Sequence, residues 1–148
     1  MPTMSELPWT IDTNILVYAT ETAVSAEKQR IARQLLERLT LNPEACLVGQ
    51  VLSEYMSVVL RKNAMARSQA FEAIRLLSQA ARVLGASQEA YVKAWQLVAK
   101  FNYQVWDALI VAICAEHGIK TLYSEDAGSL TRPLGVHVVN PFADLSDA

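Results

Sequence analysis

The stretch Trp106-Asp107-Ala108-Leu109-Ile110-Val111-Ala112-Ile113-Cys114-Ala115-Glu116-His117-Gly118-Ile119-Lys120-Thr121-Leu122-Tyr123-Ser124-Glu125-Asp126 reads as one helix–strand unit with carboxylates at both ends. Trp106 to His117 is strongly apolar and of helical length, and Gly118 is a typical residue past a helix C-terminus. Ile119 to Tyr123 then reads as a buried strand. The apolar segment from Ala108 to Ala115 is far too short to span a bilayer.

The same alternation extends upstream. Pro8-Trp9-Thr10-Ile11 reads as a short strand, followed by a helical turn or two over Asn14 to Tyr18. From Ser25 to Leu39 the apolar residues Ile31, Ala32, Leu35, Leu36 and Leu39 share one helical face. Asn42-Pro43 breaks that helix, and Ala45 to Val48 is a doubly buried strand. Helices follow over Val51–Leu60 and Ser68–Gln79, then a short strand at Arg82–Leu84. Ser87 caps a helix reaching about Phe101, with Ala90, Tyr91, Ala94, Leu97, Val98 and Phe101 on its expected buried side. Val136 to Val139 is the last strand, stopped by Asn140-Pro141. Strands alternating with helices predict an α/β fold: a mainly parallel central sheet of four to five short strands flanked by helices. Residues 1–7 read as a flexible tail and residues 8–143 as a single domain.

Composition bounds the function. A chain of 148 residues with 52% hydrophobic content can fill one core. The formal net charge of −2 argues against a generic basic nucleic-acid binder, so any nucleic-acid affinity must come from metal ions and local basic patches. Cys46 and Cys114 lie in apolar runs without CxxC spacing, as buried thiols rather than zinc ligands. The N-terminus lacks the basic and apolar blocks of a signal peptide, so a soluble cytoplasmic protein is expected.

Open parallel α/β sheets bind ligands beyond the carboxyl ends of their strands. Four carboxylates fall there. Asp12 follows the first strand, and Glu54 lies at the start of the helix after the second. Asp107 opens the Trp106 helix, and Asp126 follows the strand ending at Tyr123. Taken singly, each has an ordinary role as a cap, a first-turn acid or an Asx turn. Together they repel: two like charges about 4 Å apart cost roughly 4 kcal/mol at an effective dielectric near 20. A hard divalent cation with oxygen ligands relieves that repulsion, and can activate a water and neutralise charge on a phosphodiester.

These blocks resemble a known family. Ile11-Asp12-Thr13-Asn14-Ile15-Leu16-Val17-Tyr18-Ala19, Gln50-Val51-Leu52-Ser53-Glu54-Tyr55, Trp106-Asp107-Ala108-Leu109-Ile110-Val111-Ala112, Leu122-Tyr123-Ser124-Glu125-Asp126 and Val138-Val139-Asn140-Pro141-Phe142 resemble, in order, the motifs of PIN domains. The resemblance implies a Mg²⁺- or Mn²⁺-dependent endoribonuclease, with Asp12, Glu54, Asp107 and Asp126 as catalytic and metal-holding residues. Asn14 and Ser124 map onto the accessory polar positions. The family's Thr-x-Asp block is Ser124-Glu125-Asp126 here, so Asp126 is expected to point inward and Glu125 to assist or stay solvated. The resemblance further implies a VapC-like toxin of a type II toxin–antitoxin pair, with RNA as substrate and a small antitoxin as partner. A symmetric homodimer is expected from apolar surface left on so small a domain.

The alternative is a catalytically inactive PIN-like protein-binding module. A haloacid-dehalogenase-like phosphatase needs a second Asp two residues after the first, where this chain has Asn14. Arg61, Lys62 and Arg67 form the densest basic cluster, able to grip phosphates or simply to end a helix in solvent. Tyr103 and Trp106 flank Asp107 and can stack on a base, although core packing is the expectation for Trp106, Trp9 and Trp95. His117 suits a helix C-terminus, and neither it nor His137 has a partner that suggests a ligand. The helices Ile31–Leu39 and Val51–Leu60 are expected to leave an apolar groove for an antitoxin helix.

Overall fold

The first three strands each lead into a helix within a few residues, and that local habit sets much of the architecture. The computed structural model describes residues 8–21, 24–126 and 133–143; the expected tail over residues 1–7 lies outside them. In order the elements are β1 (Trp9–Ile11), α1 (Thr13–Thr20), α2 (Ala26–Leu41), β2 (Cys46–Val48), α3 (Gly49–Arg61), α4 (Arg67–Ala80), β3 (Arg82–Leu84), α5 (Gln88–Phe101), α6 (Val105–Glu116), β4 (Thr121–Tyr123), a 3-10 turn (Pro133–Gly135) and β5 (His137–Val139).

The α/β class and the parallel pairing agree with expectation, but a single central sheet of four to five strands does not form. Among the described residues three strands in the order β1-β4-β5 make the main sheet, and β2 pairs with β3 in a separate two-stranded sheet. The seam lies between β1 and β2. There the buried Thr10 hydroxyl donates to the Cys46 carbonyl at 2.8 Å. A side chain thus takes up an acceptor that a neighbouring strand's N–H would otherwise use.

Within the main sheet the register is Ile11 opposite Tyr123 opposite Val139. Their carboxyl ends therefore coincide, and the ladder continues one residue past the strands. The Asp12 amide donates to the Tyr123 carbonyl and the Ser124 amide to the Val139 carbonyl, both at 2.9 Å.

Helix α6 is the centre of the core: Ala108 to Cys114 are all buried. Its polypeptide turns back at Gly118, whose φ of +72° suits a residue without a Cβ. Helix α5 packs on it through Ala90, Ala94 and Leu97. Small residues on this face allow close approach, and the larger ones are displaced to the rim. Tyr91 and Phe101, expected inside, are exposed, as are Trp95 and Trp106; Trp9 alone of the three tryptophans is buried. Tyr91 and Trp95 instead stack on each other at 6.0 Å.

The groove expected between α2 and α3 is filled. Ala32, Leu35 and Leu39 of α2 and Val51, Leu52, Tyr55 and Val59 of α3 are buried, with α1 packed against both helices. A groove of about 750 Å³ opens on the other side of α3, towards α5 and α6, with Trp106 and Tyr91 in its wall. Both cysteines are free and buried. No helix among the described residues is long and apolar enough to cross a membrane.

The seam makes a prediction. Thr10→Val keeps the shape of the side chain but leaves the Cys46 carbonyl unpaired, so it should cost about 1–3 kcal/mol. Urea denaturation should show a lower midpoint at an unchanged m-value. A midpoint equal to the parent's would mean that the hydroxyl bridge contributes nothing to joining the sheets.

Candidate active site

The acidic residues named from sequence come from four separate elements. Asp12 is the N-cap of α1, its Oδ1 accepting the Thr13 amide at 2.7 Å. Its Oδ2 accepts the Ser124 hydroxyl at 2.8 Å, across the β1–β4 ladder. Asp107 lies in the first turn of α6, where the helix dipole favours an anion. Glu54 sits two residues deeper in α3 than expected, because that helix starts at Gly49 rather than Val51. Asp126 stands at the exposed rim, just past β4.

These carboxylates share one cleft with two mouths. A hollow of about 200 Å³ is bordered by Asp12, Asp107, Asp126, Ser124 and Tyr103. A second, of about 300 Å³, is bordered by Asp12, Asp107, Asp126, Glu54, Asn14 and Arg61. Polar neighbours hold the acids in place. Glu54 accepts from the Thr13 hydroxyl at 3.2 Å and from the Gln50 amide at 2.7 Å. Gln50 also bridges to the Trp106 carbonyl at 3.0 Å, joining α3 to the start of α6. Asn14 donates to Asp126 at 3.3 Å, and the Ser124 hydroxyl accepts the Asp126 amide at 3.1 Å.

Glu125 faces elsewhere. Lys28 and the Tyr18 hydroxyl bind its two oxygens, and it lines neither hollow. Burial works to raise its pKa, but these two hydrogen bonds win and hold it below the usual range. Burial and the Glu125 carboxylate push the Tyr18 phenol up to about 12.

Of the basic cluster, Arg61 and Lys62 border the second mouth, with Lys62 paired to Glu21 at 2.9 Å. Arg67 begins α4, away from both hollows. His117 binds the Gly85 carbonyl at 3.0 Å, far from the acids in the fold, and His137 lies in β5.

Sequence reading missed Thr13, Gln50, Tyr18 and Lys28. Spacing held a signal for two of them: Gln50 precedes Glu54 by four residues, and Tyr18 follows Asn14 by four, so each pair shares a helix face.

Electrostatics follow from the crowding. Burial pushes the Asp12 carboxyl above its ordinary value; the Ser124 and Thr13 hydrogen bonds oppose this, while Glu54 and Asp126 add to it. Asp107 is raised by burial and then by Asp12, Asp126 and Glu54. Among the described residues none of the four acids forms an ion pair. No three described His, Cys, Asp or Glu side chains are set to grip one ion directly. The donor set nonetheless fits a hard divalent cation that keeps most of its water and takes only one or two carboxylates at first hand.

A PIN domain family model matches residues 10–132. The chain belongs to the PIN domain family. Solved structures agree on the fold. VapC20 of Mycobacterium tuberculosis, described as a sarcin–ricin loop cleaving toxin, matches with a TM-score of 0.65 at 22% identity, over 80% of this chain and 89% of its own. A toxin–antitoxin complex from Klebsiella pneumoniae matches at 0.64 and 21% identity, over 89% and 96%. FitAcB from Neisseria gonorrhoeae matches at 0.65 and 16% identity, over 91% and 99%. At these identities the likeness establishes this PIN domain's fold. No curated protein matches the sequence.

The raised carboxyls predict a pH dependence. In the metal-free protein the folded state holds protons on Asp12 and Asp107 more tightly than the unfolded chain does. Their contribution to stability is complete below about pH 3.9, the unfolded Asp value, and is lost as pH rises through the higher folded values. Asp12→Asn removes one part of that loss while keeping an oxygen for the Thr13 amide. In EDTA the variant should melt at or above the parent's temperature at about pH 7, with the difference shrinking towards about pH 4. If the variant melts clearly lower at neutral pH, the charge of Asp12 acts as a helix cap and not as a strained site group.

Proposed function

We propose that this chain is a metal-dependent endoribonuclease and the toxin of a type II toxin–antitoxin pair. The observation that carries the reading is the convergence of Asp12, Glu54, Asp107 and Asp126, from four elements, on one cleft in which none of them forms an ion pair among the described residues. PIN family membership and the likeness to a sarcin–ricin loop cleaving toxin support it.

Asp12, Asp107 and Asp126, which border both mouths, are the residues to hold Mg²⁺ or Mn²⁺, with Glu54 behind them. Bound there, such an ion supplies charge neutralisation at a phosphodiester and lowers the pKa of water. The Ser124 hydroxyl and the Thr13 amide fix the two oxygens of Asp12. Thr13 and Gln50 do the same for Glu54. Asp107, which borders both mouths and whose carboxylate accepts no hydrogen bond from another described side chain, is the carboxylate suited to accept a proton from the attacking water. Arg61 on the rim meets backbone phosphates. Trp106, 64% exposed beside Asp107, offers a face on which a base can stack.

A nuclease of this kind needs restraint in its own cell, and similar folds include a toxin–antitoxin complex from Klebsiella pneumoniae and VapBC2 from Rickettsia felis bound to a DNA fragment from its promoter. The groove flanked by α3, α5 and α6 is open to a partner helix and ends at Glu54 and Arg61 on the cleft. The exposed Tyr91, Trp95 and Phe101 of α5 provide apolar surface for a homodimer.

Purified protein should cleave RNA with Mg²⁺ or Mn²⁺ and lose activity in EDTA. Asp12→Asn and Asp126→Asn should each abolish cleavage. Excess Mn²⁺ at a hundred times its dissociation constant should stabilise the parent by about 2.7 kcal/mol, and the variants by much less. Cleavage that persists in EDTA, or an absent Mn²⁺ effect on melting, would sink the metal-dependent reading.

Co-expression with a small protein encoded beside it, where the native operon holds one, should yield a complex, with a mass by light scattering of two copies of each chain or a multiple. A chain recovered alone, monomeric and harmless to the host at high expression, would remove both the antitoxin and the dimer.

A further inference from the structure

Glu125 is the acid of the last motif that does not face the cleft, yet it is the most firmly held. Tyr18 donates its hydroxyl proton to Oε1, and the Lys28 ammonium donates to Oε2 at 2.5 Å. Lys28 also lies over the rings of Tyr18 and Phe142, at 5.2 and 5.7 Å from their centroids. Those rings meet edge to face at 5.5 Å. One carboxylate, one ammonium and two rings thus converge from α1, α2, the turn after β4 and the segment after β5.

The position of Lys28 is unfavourable by local rules. It is the third residue of α2, in the turn where the helix dipole disfavours a cation. The side chains of Lys28 and Glu125 are 33% and 25% exposed, so the pair is partly withdrawn from solvent. The anion it meets accounts for a cation in that turn.

Glu125 also transmits this grip inward. Its amide donates to Asn14 Oδ1 at 3.3 Å, and the same Asn14 side chain donates from Nδ2 to Asp126 Oδ2 at 3.3 Å. Asn14 and Tyr18 are one turn apart on α1, so one helix face holds the turn through both its backbone and its side chain. Asp126 is the most exposed of the four acids and stands against three like charges. Repulsion alone would drive it out of the cleft.

We infer that Tyr18, Lys28 and Glu125 are positioning residues, a clamp outside the cleft that holds the Ser124–Asp126 turn so that Asp126 faces the other acids. The clamp rests on the reading of the cleft as a metal site only for its effect on metal affinity; its effect on the turn is independent of that reading. Glu125 therefore acts through Asp126 and is not a metal ligand itself.

The experiment uses the full chain and the variants Glu125→Gln, Tyr18→Phe, Lys28→Met and Lys28→Arg. Amide hydrogen exchange by NMR in EDTA reads the turn, and calorimetry with Mn²⁺ alone reads the cleft. Glu125→Gln and Lys28→Met should speed exchange at the Glu125 and Asp126 amides by about tenfold, with the β4 amides unchanged. They should also weaken Mn²⁺ binding by about tenfold, the usual effect of losing a partner behind a ligand. Lys28→Arg should keep both properties, and the Lys28→Met and Glu125→Gln effects should not add when combined.

Unchanged exchange in Glu125→Gln and Lys28→Met overturns the clamp, even if the melting temperature falls. Lost Mn²⁺ binding with unchanged exchange also overturns it, because Glu125 is then a ligand. If the parent binds no Mn²⁺, the metal reading of the cleft fails and the exchange arm still decides the clamp. Should Glu125→Gln not fold, Tyr18→Phe, which removes a single oxygen, carries the same readings.

Discussion

The parallel pairing of β1 with β4 is the constraint from which the cleft is built. With Ile11 opposite Tyr123, the residues just past each strand become neighbours, and the ladder runs on through the Asp12 amide to the Tyr123 carbonyl. Asp12 and Ser124, 112 positions apart in the chain, then share a hydrogen bond. A shift of one residue in that register would turn Asp12 and Ser124 to opposite faces and dissolve the site, because side chains alternate along a strand. All six residues of this pair, Trp9 to Ile11 and Thr121 to Tyr123, are buried, so both of its faces are packed.

Around this pairing the fold accumulates negative charge and then arranges neutral donors to hold it. Thr13, Gln50, Asn14 and Ser124 each give a hydrogen bond to a carboxylate without supplying a positive charge. Such donors fix geometry but leave the net charge of the cleft in place, so the attraction for a cation survives folding. Of the nearby cations, Lys28 is engaged by Glu125 and Lys62 by Glu21, while Arg61 stands at the second mouth without forming an ion pair with the acids. The division separates two tasks that one salt bridge could not combine: a stable turn, and an unneutralised cleft.

The helices show a second division, between a tight centre and a bulky rim. Alanines at the α5–α6 contact bring the two helices close, and α6 is buried along almost its whole length. Tyr91, kept outside that contact, and Trp106 at the start of α6 line the groove beside α3, next to the cleft. Close packing inside therefore produces the apolar exterior that a partner can use.

Local sequence determined much of this. The strand–helix alternation, the Ser87 cap, the Gly118 terminus and the buried thiols are legible because each depends on neighbours within about one helical turn or one strand length. The acidic residues were legible as a set because each follows or opens an element at the same predicted sheet edge. Tertiary structure decided the rest. Whether β2 joins the main sheet turns on the Thr10 hydroxyl reaching Cys46, a contact between residues 36 positions apart. Which face of α5 is buried turns on how closely α6 approaches, so an apolar stripe that included Tyr91 and Phe101 misjudged the inner face. Glu125 and Asp126 are adjacent acids told apart in the sequence only by the resemblance of Ser124-Glu125-Asp126 to a Thr-x-Asp block. Lys28 and Tyr18 take one and Asn14 turns the other to the cleft, a choice made by helices that lie about a hundred residues earlier in the chain. Periodicity reports which residues share a face; only packing reports what that face meets.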